Sequence, residues 1–469
     1  MKKTTDTTSN NSNFQQLEKT ALKITQYLDA YIEGLNGENF AIFNEVISNE
    51  IEISRDSNLR KLISRFNLSD IERDILLLCV AREILPKFQV LLDSIKSKKT
   101  VKYICFQLVR EIFPHFSWQA LSPNSPLLRW QLISLENGPI LSERLIKITP
   151  TIFYYLVGES SLDPELEGIL ISVESSTKKV AESHQKIVNK LASLGSFLSF
   201  EKNKEIGQLV GNDLVVKREI ANAVSNRLGF LLASLNAYLI PSNTQEQKEL
   251  KVRIEREFLL NRRLILLECD EISESDYNRH LAISRFIDSV NCPIIISTAK
   301  KRNIKERPCL TFEIERLTKS EQLALWQSTL GDISTSLNGE VERLVSQFNL
   351  NLPQIQAACS VAFSSTINGK KDELKEGENQ DMMLWDICRT LARPNLDELA
   401  QRITCRALLD DLVLPEKNKQ TLQILIDQVK QSKQVYYDWG FEGKSTRGLG
   451  ITALFSGVPG TGKTTAAEV

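Results

Sequence analysis

The chain has 469 residues, a formal net charge of −1, 42% apolar residues and 25% charged residues. These are globular proportions, which exclude a wholly disordered chain, and the length predicts roughly three domains. The near balance of 58 basic and 59 acidic residues argues against a protein whose main task is to coat nucleic acid. No uncharged apolar run reaches the roughly 20 residues that cross a bilayer, and the start of the chain has no secretory signal.

Eight cysteines stand singly along the chain, and three histidines are isolated from one another. Neither set has the spacing of a zinc site or of a redox pair. Free thiols in apolar runs are typical of a reducing compartment, so we expect a cytoplasmic protein.

The first part of the chain predicts a tail followed by helices. Residues 1–13 are rich in Thr, Ser, Asn and Lys, which favours a disordered tail. Apolar residues recur at helical spacing from Phe14 to Ile32. Further on, Ser69 and Glu72 have the spacing of a capping box, which predicts the start of another helix.

A hairpin follows these helices. The runs Arg129–Leu135 and Ile140–Ile148 read as two strands around a turn at 136–139, and Pro150 starts a short helix. Helices followed by a hairpin predict a mostly helical, winged-helix-like N-domain over 14–165. Such a domain binds either DNA or a protein partner. The hairpin mixes acidic with basic side chains instead of forming a basic wing, which favours a protein partner over nucleic acid.

From about residue 195 the pattern becomes α/β. Apolar strand candidates at Ile206–Val210, Leu264–Leu267 and Pro293–Thr298 alternate with helical stretches, as in a parallel sheet. A small helical lid follows and ends near residue 365. We therefore assign 195–365 to an α/β module with a helical lid, and the charged segment 366–381 to a linker.

The clearest motif begins at Gly457. The sequence G-V-P-G-T-G-K-T matches the phosphate-binding loop G-x-x-x-x-G-K-[ST], with the apolar strand candidate Thr452–Ser456 before it. Glycines let backbone N–H groups curl around phosphate oxygens, the lysine reaches the β- and γ-phosphates, and the final hydroxyl binds Mg²⁺. The predicted cofactors are therefore ATP and Mg²⁺. Lys463 is the predicted catalytic residue and Thr464 the metal ligand, and the predicted nucleotide contacts are Gly457, Val458, Pro459, Gly460, Thr461, Gly462, Lys463, Thr464 and Thr465.

A broken copy of this loop lies at Gly211–Arg218, after a strand and before a helix. Val216 and Arg218 stand where the intact loop has a glycine and a hydroxyl residue. A β-branched residue tolerates a positive φ poorly, and an arginine cannot bind Mg²⁺, so we expect this module to have lost its nucleotide. Acidic residues between 268 and 271 end a strand where a working phosphate-loop domain carries its catalytic carboxylates. We prefer the interpretation that they belong to an inert module.

With one intact and one broken loop, the chain resembles an AAA+ ATPase, because Phe455–Thr464 is similar to the LFSGPPGTGKT sequence of AAA domains. More narrowly, it resembles the AAA ATPases encoded with bacterial contractile, phage-tail-like injection systems. The residues that carry this narrower resemblance are Ser122–Trp130, Arg316–Trp326, Leu409–Pro415 and Trp439–Phe441. The resemblance covers most of 55–469 and implies a degenerate AAA module followed by the N-terminal part of an AAA+ domain at 396–469.

The resemblance also implies a function. It implies an ATP-hydrolysing subunit that forms an oligomer, often a hexameric ring, and that remodels or loads a protein partner bound through its N-domain. It implies an adenine pocket near Asp411–Pro415. The chain ends five residues after Thr464, so we expect a fragment whose Walker B, sensor and arginine-finger residues lie further on and which is inactive alone. Two alternatives stay open, a non-enzymatic scaffold and a DNA-binding switch ATPase.

Overall fold

The structure is a computed structural model. It describes residues 3–35, 53–54, 56–96, 103–113, 115–136, 140–159, 161–175, 180–194, 205–273, 275–315, 317–331, 340–367, 378–392, 408, 412–431, 434–435, 439–441 and 451–468. Contacts divide the chain into two units, residues 1–315 and 316–469. No described helix is long and apolar enough to cross a bilayer.

The first unit begins with a layer of helices around a shared apolar core. These helices are α1 Lys3–Leu35, α2 Asn58–Phe66, α3 Asp70–Ile84, α4 Pro86–Lys96, α5 Phe106–Ile112, α6 Pro126–Arg129 and α7 Pro150–Val157. The capping box of α3 is confirmed, because Glu72 Oε2 accepts the Ser69 backbone N–H at 2.8 Å. Helix α1 begins at Lys3, so it includes most of the predicted disordered tail at 1–13. Extending a helix that is already packed adds one hydrogen bond for each residue ordered.

The predicted hairpin is present but shorter than expected. Strand β1 Ile133–Leu135 pairs antiparallel with β2 Ile146–Ile148. Ser125 caps α6, which keeps Arg129 helical, and a 3₁₀ turn at Leu141–Glu143 replaces the start of the second predicted strand. The turn residues 137–139 lie outside the described residues.

A six-stranded sheet forms the second half of the first unit. Its strand order is β3-β5-β6-β7-β4-β8, and every neighbouring pair is parallel except β3 with β5. Strands β6 and β7 are buried throughout, which explains their uninterrupted apolar runs. The strands are β3 Leu170–Val173, β4 Ile206–Val210, β5 Leu231–Asn236, β6 Arg263–Glu268, β7 Ile294–Thr298 and β8 Cys309–Glu313. The helices are α8 Glu182–Ala192, α9 Leu214–Leu228, α10 Thr244–Asn261 and α11 Tyr277–Ser289.

Two boundaries of the α/β module differ from the predicted range of 195–365. The sheet starts at Leu170, because the edge strand β3 joins it through antiparallel pairing with β5. That strand is only four residues long, and Ser172 interrupts its apolar residues, so its sequence lacks the long apolar run of a buried strand. At the other end, the predicted lid groups with the second unit, since the first unit ends at Glu315.

Helix α10 joins the sheet to the winged-helix-like part of the first unit. Arg256, only 2% exposed, donates to the carbonyl oxygens of Trp130 at 3.2 Å and Gln131 at 2.8 Å, and it forms an ion pair with the buried Asp163. Leu260, near the end of the same helix, packs into the core of the helical layer. The two parts are therefore joined by α10, which packs into the core of each, and by buried hydrogen bonds.

The regular secondary structure described in the second unit is helical. Trp326 is buried in its core, and Phe348 packs edge-to-face on Trp385 with ring centroids 4.9 Å apart. Its helices are α12 Lys319–Leu330, α13 Glu340–Gln347, α14 Leu352–Ile367, α15 Glu378–Leu391, α16 Glu416–Lys430 and α17 Lys463–Glu468. Helices α14 and α15 extend into both ends of the predicted linker at 366–381, and residues 368–377 lie outside the described residues.

The strand predicted at Thr452–Ser456 is absent, so this prediction is wrong for the structure. A strand requires a backbone ladder with a neighbour, and no described residue of the second unit is in a strand. Leu454 is consequently 93% exposed, although it lies in an apolar run that is typical of a buried strand.

Candidate functional site

The loop at 457–464 has a geometry that only its glycines permit. Gly460 and Gly462 have φ values of +82° and +77°, which residues with a Cβ adopt poorly. A Cβ added to Gly457 would lie 2.9 Å from Thr461 Oγ1, which itself donates to Val458 O at 2.8 Å. Each glycine of the motif therefore has a separate role in the curl of the loop.

Lys463 folds back over the start of this loop. Its ammonium donates to Gly457 O at 2.9 Å and to Val458 O at 2.8 Å. It forms no ion pair with any residue that the structure describes, so its charge is balanced by carbonyl dipoles alone. The Thr464 side chain is exposed in the first turn of α17. An anion that enters the loop would therefore meet a cation with no competing carboxylate.

The structure places the remaining predicted contacts in the same short segment. Val458 and Pro459 are exposed, and Thr465 is half-buried in α17. The segment predicted to form the adenine pocket is described only from Leu412, which is buried, and Asp411 lies outside the described residues. The adenine pocket therefore stays a prediction.

In the broken loop at Gly211–Arg218, side chains of the protein occupy the positions that a bound phosphate would take. Asp213 Oδ1 accepts the backbone N–H groups of Val215 at 3.0 Å and Val216 at 3.2 Å, and so caps α9. A helix N-terminus is where a phosphate would bind, and here a carboxylate of the chain holds that place. The cap fixes the start of α9 at Leu214.

Lys217, which corresponds to the lysine of the intact loop, is fully buried. Its ammonium donates to Gly211 O at 2.6 Å and Thr298 O at 3.1 Å, and it forms an ion pair with Asp270. The other oxygen of Asp270 accepts the Ser297 hydroxyl. A phosphate would have to displace the half-buried Asp270 carboxylate to reach this lysine, and displacement would leave Asp270 unpaired.

Arg218, in the position of the metal-binding hydroxyl, is likewise engaged. It forms a bidentate pair with Glu268, with Nε to Oε1 at 2.7 Å and Nη2 to Oε2 at 2.8 Å. These hydrogen bonds raise the pKa of Arg218. The acidic strand end that a working domain would use for metal binding is therefore closed by Lys217 and Arg218.

The sequence analysis anticipated the missing glycine and hydroxyl but not the three carboxylates that fill the broken site. The Asp213 cap had a readable signal, an aspartate directly before a helical run. The pairs of Lys217 with Asp270 and of Arg218 with Glu268 had none, because each joins residues about 50 positions apart.

Comparison with protein families gives two matches. The contractile injection system ATPase helical domain matches residues 318–394, which contain α12–α15. The variant winged helix domain matches residues 44–170, which confirms the predicted winged-helix fold at the N-terminus. No curated protein is significantly similar to the chain. The chain is thus related to contractile injection system ATPases through its helical unit, and neither match extends to the loop at 457–464.

Proposed function

We propose that the chain is part of an AAA+ ATPase of a contractile injection system, which binds ATP and Mg²⁺ at Gly457–Thr465. Hydrolysis would be coupled to the remodelling or loading of a protein partner, and the winged-helix domain would dock that partner. We further propose that the complete protein acts in the cytoplasm as a homo-oligomeric ring. The observation that carries the ATP site is the Lys463 ammonium, which lies over a curled glycine loop and forms no ion pair among the residues that the structure describes. The family match at 318–394 supports the injection-system context.

The residues of the loop fit a triphosphate and its metal ion. Gly460 and Gly462 have the positive φ values that turn backbone N–H groups inward. Lys463 would move from the carbonyls of its own loop to the phosphate oxygens, and the Thr464 hydroxyl would bind the Mg²⁺. The metal ion would neutralise charge that develops on the transferred phosphoryl group, and Lys463 would stabilise the same charge from the protein side.

DNA binding is the less favoured function for the winged-helix domain. A DNA-reading domain of this type lays a helix into the major groove. The helix before this hairpin, α6, has four residues and spans only about 6 Å. The two carbonyls that follow it, of Trp130 and Gln131, are bound by Arg256. These features favour a domain that is fixed to the sheet and free to bind protein elsewhere.

The test compares the two lysines. The full chain, Lys463→Ala and Lys217→Ala are titrated with a fluorescent ATP analogue and Mg²⁺, and the melting temperature of each is recorded. We expect Lys463→Ala to weaken nucleotide binding at least tenfold without changing the melting temperature, because its contacts are confined to one loop. Lys217→Ala should keep the nucleotide affinity but lose about 1–3 kcal/mol of stability, since Asp270, whose side chain is 13% exposed, loses its cation.

Two results would contradict the proposal. Equal loss of binding in both variants would show that the first module takes nucleotide and is not inert. An absence of Mg²⁺-dependent binding in the unaltered chain would remove the ATP site and leave the scaffold alternative.

A further inference from the structure

A groove runs along one side of α11, at the edge of the sheet where β6 and β7 end. It consists of two adjoining cavities of about 440 Å³ and about 300 Å³, which share His280, Ser284, Arg302 and Asn303. One wall is α11, and the other is the segment 299–306 that follows β7. In open α/β sheets, this edge of the sheet is where ligands bind.

The groove is long and its rims are exposed. Its helical wall extends from Tyr277 to Asp288, which corresponds to about 16 Å of helix. An extended peptide of about five residues has the same length. Tyr277, 75% exposed, and Leu281, 45% exposed, stand on the helical rim as apolar contacts for such a segment.

The opposite wall is basic. Lys301 and Lys305 are exposed and Arg302 is half-buried, and none of the three forms an ion pair within the part of the chain that the structure describes. Arg285 adds a further positive charge from α11, and its Nη2 donates to Ser242 O at 3.3 Å. Asp270, in the floor of the larger cavity, is already paired with Lys217 and adds no free negative charge.

Two carboxylates make one end of the groove different in charge from the other. Asp288 and Glu306 line the end of the smaller cavity, away from Asp270. Burial and the nearby Glu306 raise the pKa of Asp288. A nucleic acid backbone carries charge along its whole length and would meet these carboxylates, whereas a peptide can place acidic side chains beside the basic residues and uncharged ones beside Asp288 and Glu306.

We propose that this groove binds an extended acidic segment of a partner protein, with its acidic side chains against Lys301, Arg302 and Lys305 and an apolar side chain against Leu281 and Tyr277. The binding surface is separate from the loop that contains Lys463, so the proposal does not depend on nucleotide binding. It adds a second contact for a protein partner, on the α/β module instead of the winged-helix domain.

The probe is a fluorescein-labelled peptide of nine residues, with four alternating Asp and Glu residues on each side of one central Leu. Its binding to the full chain is measured by anisotropy, without nucleotide, over a series of salt concentrations. We expect binding that weakens with salt, because the rim charges are exposed. Reversing two exposed charges with Lys301→Glu and Lys305→Glu should weaken it about tenfold or more, and Tyr277→Ala should weaken it less.

The matched control is the double variant Lys186→Glu and Lys190→Glu, which makes the same change in net charge on the exposed side of α8. It should leave peptide binding within twofold of the unaltered chain. Equal weakening in the control would show a general charge effect and overturn the proposal. So would an amide version of the peptide that binds equally well, a single-stranded oligonucleotide that binds in preference to the peptide, or an absence of peptide binding up to millimolar concentration.

Discussion

The intact loop and the broken loop differ in the contacts that the lysine of each loop makes. Lys463 donates to two carbonyls of its own loop, whereas Lys217 is buried against Asp270. A buried cation is stable only with its partner, so Lys217 cannot bind a ligand unless Asp270 finds another cation. The broken loop therefore differs from the intact one in more than its missing glycine, because carboxylates of the chain hold the positions that phosphate would take.

The Asp213 cap can be tested at the level of single amides. Asp213→Ala removes the acceptor of the Val215 and Val216 N–H groups, which should destabilise the start of α9 by about 1 kcal/mol. We expect hydrogen exchange in a peptide covering the first turn of α9 to accelerate about fivefold. The exchange rate is measured by mass spectrometry on the full chain.

A matched cap provides the control for this exchange experiment. Asn243 accepts the Gln245 N–H at 2.8 Å at the start of α10. Asn243→Ala should therefore accelerate exchange in α10 and leave α9 unchanged. Unchanged exchange in α9 of Asp213→Ala would mean that the aspartate does not hold the helix end.

Among the elements of the first unit, α10 is the one that joins the winged-helix domain to the sheet. Its middle packs in the core of the sheet through Ile254, while Leu260 packs in the core of the helical layer. Arg65 of α2 strengthens the joint by donating to the carbonyls of Leu259 at 2.9 Å and Leu260 at 2.7 Å. The two domains should consequently unfold together as long as the contacts of α10 are intact.

Removal of the buried arginine tests this coupling. Arg256→Ala leaves Asp163, 2% exposed, without its cation, which should cost about 3–5 kcal/mol. Calorimetry should then resolve separate transitions for the two halves of the first unit. Arg253→Ala is the control, because it removes an exposed pair with Glu165 from the same helix and should cost less than about 1 kcal/mol. A single, unshifted transition in Arg256→Ala would contradict the coupling.

Local patterns predicted the helix starts at Ser69 and Pro150 and the buried strands β4, β6 and β7, since these depend on neighbours in sequence. Features that depend on distant residues were missed. Strand β3 has its place in the sheet only through β5, and Arg256 meets Asp163 from 93 residues away.

The candidate site likewise has features that depend on neighbours in sequence and features that depend on distant residues. The curl of the loop at 457–464 follows from its own glycines and was readable from the motif. The contacts of Lys463 with the carbonyls of Gly457 and Val458 were not predicted, because the motif predicts contact with phosphate. The strand predicted before it required partner strands, which a local pattern does not supply. The groove along α11 gave no sequence signal, because its basic wall at 299–306 faces a helix that only the fold brings beside it.

At the scale of the whole molecule, the chain separates its proposed tasks between two units. The first contains the winged-helix domain, the closed loop around Lys217 and the groove along α11. The second contains the helical unit at 318–394 and the intact loop around Lys463. Each unit has an apolar core of its own, so nucleotide binding and partner binding should be separable by cutting the chain between them.

A protein consisting of residues 1–315 tests this separation. It keeps all six strands of the sheet and the buried contacts of Arg256, so we expect a single cooperative thermal transition. It should bind the acidic peptide with the affinity of the full chain, because the groove lies within 269–306, and it should not bind the ATP analogue, because it lacks Lys463. Nucleotide binding by 1–315 would show that the carboxylates around Lys217 do not close that loop. A folded 1–315 that has lost the peptide would instead show that the second unit contributes to the groove.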